Sequence, residues 1–135
     1  MQHTIQKETT TAGTGLHSGA INLALKPAPA GHGIVFVRTD LQGDNRIPAL
    51  WDKVTDTRLC TVISNSSGAS IGTIEHLMAA LRGCAIDNIL IELNGPEVPA
   101  MDGSSKPFVD MIDKAGIAAQ NAPRRAIRIL KEVTV

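Results

Sequence analysis

The sequence predicts an α+β domain, a mostly antiparallel sheet packed with two helices. Three observations lead there. Short runs of alternating apolar residues are separated by turns containing glycine and proline, the pattern of strands joined by tight connections. One run, residues 87–93, is almost continuously apolar, as a strand at the centre of a sheet would be. Two other stretches space their apolar residues by three and four, the period of an amphipathic helix. At 135 residues the chain fits one domain with a modest core.

In chain order, residues 3–8 read as a first strand. Residues 9–19 follow as a loop, with Gly13, Gly15 and Gly19 letting the backbone approach something closely. Two readings stand: a turn between strands, or a phosphate cradle. The G-x-G lacks the rest of the dinucleotide fingerprint, and there is no G-K-[ST]. Residues 20–25 form a second strand, closed by Pro27 and Pro29. Residues 33–38 form a third, with Ile34, Phe36 and Arg38 on one face and Val35 and Val37 on the other. Residues 40–56 are a polar excursion or short hairpin. Residues 59–63 are a further strand that holds Cys60 as a small buried hydrophobe.

Residues 64–69 turn into the first helix, residues 72–81. Its stripe is Ile74, Leu77, Met78 and Leu81, with Thr73 as N-cap and Gly83 as the stop. After the strand at 87–93, residues 94–99 are turn chemistry. Residues 102–105 open the second helix, with Phe108, Met111, Ile112 and Ala115 as its stripe and Gly116 as its stop. The linker 121–125 leads into a last strand at 127–135. There Ile129-Leu130-Lys131-Glu132 echoes Ile5-Gln6-Lys7-Glu8, the mark of a repeated unit. The expected division is a domain at 1–122, then at 123–135 a linker and the first strand of a second domain.

Composition excludes several classes of function. Lys plus Arg and Asp plus Glu are 13 each, so no net field draws in nucleic acid or anionic lipid. Trp51, Phe36 and Phe108 are the only aromatic residues, too few for a base-stacking platform. No apolar run approaches a transmembrane length, and the N-terminus lacks a signal pattern. Cys60 and Cys84 form no C-x-x-C and no disulfide ladder, which points to a reduced, cytoplasmic setting.

The first helix carries the candidate chemistry. Glu75 and His76 stand together in its first turn, off the apolar stripe, with small Ala79 and Ala80 one turn on. Partial positive charge at a helix start suits an anionic carboxylate and a neutral imidazole, the forms a general base and a metal ligand use. Each residue also has an ordinary reading, as a first-turn acid and a boundary histidine. The pair is not H-E-x-x-H, and no other histidine lies at ligand spacing from His76. Asp102 is either a helix-start acceptor or an acid that orients an active-site group.

Four stretches carry a resemblance: G-x-G-L-H-S-G at 13–19, T-x-L-C-T at 57–61, T-I-E-H-L-x-A-A-L at 73–81 and P-A-M-D-G-S-S-x-P-F at 99–108. I-D-N-I-x-I-E at 86–92 adds to them. In order and together, they resemble the N-terminal domain of the UDP-3-O-acyl-N-acetylglucosamine deacetylases, zinc amidases of lipid A synthesis in Gram-negative bacteria. The resemblance implies two similar domains, each a sheet on a pair of helices, with the active site between them. It implies Glu75 as general base and His76 as one zinc ligand. Leu16, His17 and Cys60 fall at positions near the substrate cleft, and Asp102 at an acid there. The remaining ligands, an oxyanion-binding Lys and a general-acid His would lie in a second domain, so the Zn(2+) site is incomplete here. Arg58 departs from the pattern, where an apolar residue such as Met is expected beside the cleft.

The function implied is hydrolysis of the N-acetyl group of UDP-3-O-acyl-GlcNAc, with little activity from these residues alone. Self-association through an exposed cleft face or the terminal strand is also expected. Two other readings remain: a non-catalytic binding or regulatory module of the same fold, and a phosphoryl-transfer domain using the loop at 13–19.

Overall fold

Strand β3 (Ala20–Pro27) shows how the pattern becomes structure in the computed structural model, which describes residues 1–135. Ile21, Leu23 and Leu25 point into the core while Asn22, Ala24 and Lys26 face outward, the two sides of one pleat. β3 lies beside β9 (Ile89–Leu93) in a five-stranded sheet. The sheet also holds β2 (Thr9–Thr14), β4 (Ile34–Arg38) and β5 (Arg46–Pro48), in the order β2-β3-β9-β4-β5. All neighbours are antiparallel except β4 and β9, which run parallel. A parallel pair needs a long crossover, and everything between residues 38 and 89 supplies it. β9 is central, as its apolar run predicts.

That crossover holds a second, small sheet: β6 (Val54–Asp56), β7 (Val62–Ser64) and β8 (Ser70–Ile71). A 3-10 turn at Trp51–Lys53 precedes it. Buried Arg38 ties the two sheets together. Its guanidinium donates twice to Asp40, at 2.8 and 2.7 Å, and once to the Ser70 carbonyl at 2.7 Å. A buried charge needs such a set of partners.

Two helices, α1 (Glu75–Gly83) and α2 (Lys106–Ala115), cover one face of the large sheet. Leu77, Ala80, Leu81, Phe108, Met111, Ile112 and Ala115 join Leu23, Leu25, Phe36, Ile89 and Ile91 in one apolar cluster. Burying a side chain the size of Leu or Phe contributes about 1.5–3 kcal/mol, so this cluster holds the layers together. β10 (Ile117–Gln120) pairs with β1 (Gln2–Ile5), a strand the sequence reading missed because Ala118 and Ala119 carry little pattern. No helix is long and apolar enough to cross a membrane. The α+β class, two helices and mostly antiparallel sheet are as predicted.

Several boundaries are corrected. Residues 9–14 are strand β2, paired through six residues with β3, so the loop shrinks to 15–19. The strand expected at 59–63 is β7 at Val62–Ser64, and Cys60 lies before it in a bend. Gly83 belongs to the last turn of α1, and the left-handed residue after it is Ala85, φ 58°. Ala80 is fully buried in place of Met78, which is partly covered, so only Ala79 leaves the helix surface bare. Residues 127–135 form no strand. They pair with nothing and are exposed throughout, because an extended segment becomes a strand only against a partner edge. The last anchored residue is Arg124, bonded to Asp87 and to the Ala85 carbonyl.

Candidate active site

Glu75 and His76 open α1, both half-buried. The Glu75 carboxylate is fixed from outside its helix: its Oε2 accepts the backbone N–H of Thr61 at 3.1 Å. That bond places the carboxylate beside the turn that carries Cys60. The helix start is joined to the same turn by Ile74, whose N–H reaches the Thr61 carbonyl at 3.5 Å.

Thr73 is not the N-cap that its sequence position suggests. It is buried in the left-handed region at φ 57°, a conformation that costs a β-branched residue about 1–2 kcal/mol. Its hydroxyl turns away from the helix and donates to Glu97 Oε1 at 2.7 Å. The first helical amides have no side-chain cap. Strain of this kind persists only where the surroundings fix it, and it concentrates at functional sites.

Glu97 is the residue the sequence reading missed, taken there as one member of a turn. It is only 4% exposed. Besides the Thr73 hydroxyl, its carboxylate accepts the Leu16 N–H at 3.0 Å, the His17 N–H at 2.9 Å and the Ser18 hydroxyl at 3.0 Å. The His17 ring nitrogen Nδ1 stands 3.4 Å away. Burial pushes the Glu97 carboxyl up; the bonds from Thr73, His17, Ser18 and Leu16 outweigh it and hold the group below the usual glutamate range. One faint signal was present, since Glu97 is the only charged residue in 95–101.

This carboxylate explains the glycines of the loop. A Cβ on Gly15 would collide with Ser18 Oγ and Glu97 Oε2. A Cβ on Gly13 would stand 2.9 Å from Pro99 Cβ and 3.1 Å from Met101 Sδ. The close approach is to the 97–101 segment, and the Leu16 and His17 amides that a phosphate would need are already held by Glu97.

The other predicted residues divide. His17 and Cys60 come together, with Asp56, Arg58, Leu59 and Val62, around a cavity of about 480 Å³. A smaller one of about 220 Å³ adjoins it, lined by His17, Cys60, Thr73 and Glu97 among others. Cys60 is half-buried and lines both, so it is not the buried hydrophobe of the strand reading. Leu16 is exposed at 63% and lines neither of these cavities. Arg58, one of the lining residues, is paired in bidentate fashion with Asp56, whose carboxyl that guanidinium holds far below its ordinary value. Asp102 is exposed and accepts only from Ser104, at 2.9 and 2.7 Å. It bonds to neither Glu75 nor His76 and shapes its own turn. The largest cavity, about 640 Å³, lies over Thr10, Asn22 and Glu92 and includes none of the predicted residues.

The donors present can be set against what a metal needs. No three His, Cys, Asp or Glu side chains converge in the chain. Of the other histidines, His3 sits by Asp87, His32 bonds the Gly33 carbonyl and His17 faces Glu97. A catalytic zinc takes three protein ligands, so these residues alone do not fit a resident zinc ion.

The sequence model of the family described as UDP-3-O-acyl N-acetylglycosamine deacetylase matches residues 2–135. Among curated proteins, the UDP-3-O-acyl-N-acetylglucosamine deacetylase of Myxococcus xanthus is 53% identical over 135 residues, 99% of this chain and 43% of that protein. Proteins of the same description from Phenylobacterium zucineum and Shewanella baltica are 51% and 49% identical, again over 99% of this chain, and 46% and 44% of their own lengths. The chain thus spans somewhat under half the length of the relatives it matches.

Proposed function

Because the chain belongs to the UDP-3-O-acyl N-acetylglycosamine deacetylase family, we propose that it is the first of two similar domains of a zinc-dependent amidase of lipid A synthesis. The domain is residues 1–122, and residues 123–135 lead into the second. The substrate is UDP-3-O-acyl-N-acetylglucosamine, and the setting is the cytoplasm of a Gram-negative cell. Glu75 is the general base and His76 one of the metal's ligands, the others lying outside these 135 residues.

The observation that carries this reading is the placement of Glu75. Its carboxylate is held by the N–H of Thr61, the residue after Cys60, which lines the cleft together with His17. A carboxylate so held can take a proton from a water as that water attacks an amide carbonyl. The C–N bond then breaks, giving acetate and an amine that receives its proton from a group outside this chain. Leu16, His17 and Cys60 meet the substrate. The glycine loop serves the fold and the cleft wall rather than a nucleotide phosphate, since its amides are taken by Glu97.

The test joins the chain to a matching second domain and measures acetate release from the sugar nucleotide, with and without a zinc chelator. Chelator-sensitive release, absent from the first domain alone, is the expected result. Folded two-domain protein that releases no acetate, or a first domain that binds nucleotide tightly without metal, would overturn the reading.

A further inference from the structure

We propose that Glu97 is a positioning residue, whose buried carboxylate sets the distance between the cleft loop at 15–19 and the start of α1. The inference rests on the functional reading above only for its consequence in catalysis; the coupling itself is geometric. On one side Glu97 takes Leu16 N–H, His17 N–H and Ser18 Oγ, all at 2.9–3.0 Å. On the other it takes the Thr73 hydroxyl at 2.7 Å. Thr73 stands in a conformation that a β-branched residue avoids, two residues before Glu75. Its bond to Glu97 holds it there, and the direction of its backbone sets how α1 leaves the loop.

The surroundings leave Glu97 little freedom. Its backbone is bridged to Gly72, with Gly72 N–H donating to the Pro96 carbonyl at 2.9 Å and Val98 N–H to the Gly72 carbonyl at 3.0 Å. Gly15 packs directly on its carboxylate. One anion therefore sits at the node of three segments, 15–18, 72–73 and 96–98, that no regular element connects. The ionisable groups facing it are the His17 imidazole, with Nδ1 3.4 Å from Oε1, and the Cys60 thiol in the same small cavity.

The proposal makes loop and helix start respond together to one proton. Because the native pKa of Glu97 is lowered, its four bonds are present above the ordinary glutamate range and are lost as pH falls through the native value. Followed by NMR in the isolated chain, the amides of Leu16, His17, Ile74 and Glu75 should shift with a single common midpoint below that range, while the core amides of Ile89, Ile91 and Leu93 stay put. Glu97→Gln should abolish the common titration and displace both groups of amides. Thr73→Gly, which tolerates the left-handed backbone, should return the helix-start amides of Glu97→Gln to their native positions and leave the loop displaced. In the two-domain enzyme, Glu97→Gln should lower kcat by roughly ten- to a hundredfold with zinc content unchanged, and adding Thr73→Gly should recover part of it. Independent midpoints for loop and helix start, or helix-start amides unmoved by Glu97→Gln, would overturn the coupling. The NMR arm requires no activity, so its failure is distinct from failure of the deacetylase reading.

Discussion

Glu75→Gln isolates proton transfer from folding, and the structure shows why Gln is the better choice than Ala. Glu75 Oε2 accepts the part-buried Thr61 N–H at 3.1 Å. Ala would leave that donor without its partner, a loss of about 1 kcal/mol. For a domain of this size that is roughly 4 °C in Tm. Gln keeps an acceptor of the same shape, so stability should stay within about 0.5 kcal/mol of the parent. Gln cannot act as a base at neutral pH. In the two-domain enzyme kcat should fall by roughly two to four powers of ten, the usual contribution of a positioned base. That corresponds to about 3–5 kcal/mol in the barrier. Zinc content should remain near the parent's, whereas His76→Ala should lose metal and activity together. The assay is acetate release, read beside metal analysis and thermal melting of the same samples. Glu75→Gln protein that is folded, metal-loaded and turns over within twofold of the parent would refute the general-base role.

The isolated chain should bind zinc only weakly through His76, and a tight stoichiometric site by calorimetry, lost in His76→Ala, would contradict the incomplete donor set. Gly15→Ala should cost about 1–3 kcal/mol, because the new Cβ meets a carboxylate held by four donors; an unchanged urea midpoint would count against the close approach. The Arg124 guanidinium holds the Asp87 carboxyl below its usual value, so the pair is intact above the ordinary aspartate pKa of about 4 and is lost as pH falls through the native one. The Arg124 Nε–H resonance should report that release, and a signal unchanged down to the onset of unfolding would refute it. The exposed Ile127, Ile129, Leu130 and Val133 should drive self-association, seen by light scattering and removed by truncation after Arg125; a monomer at high concentration would refute it.

Much of the fold was legible because burial follows local period. Ile21, Leu23 and Leu25 alternate in sequence and alternate in space, and the stripe Phe108, Met111, Ile112 and Ala115 is the buried face of α2. Four stretches in order, at 13–19, 57–61, 73–81 and 99–108, together carried the family resemblance, and the matches over residues 2–135 bear that out. Some elements were hidden because they have no local signature. Residues 9–14 look like a polar loop and become β2 only against β3, while 127–135 look like a strand and lack any edge to pair with. The site was half legible. Residue types and spacing pointed to Glu75 and His76, and the family resemblance to His17 and Cys60, but the bonds that hold Glu75 and the loop of His17 join residues 14 to 81 positions apart: Thr61 to Glu75, Leu16 and His17 to Glu97, Thr73 to Glu97. Local sequence determines which residues can form a helix or a strand, since those interactions reach only a few positions. The partner of a buried carboxylate 24 to 81 residues away is decided only when the layers close. That is why Glu97 reads as a turn residue in the sequence and stands at the junction of three segments in the fold.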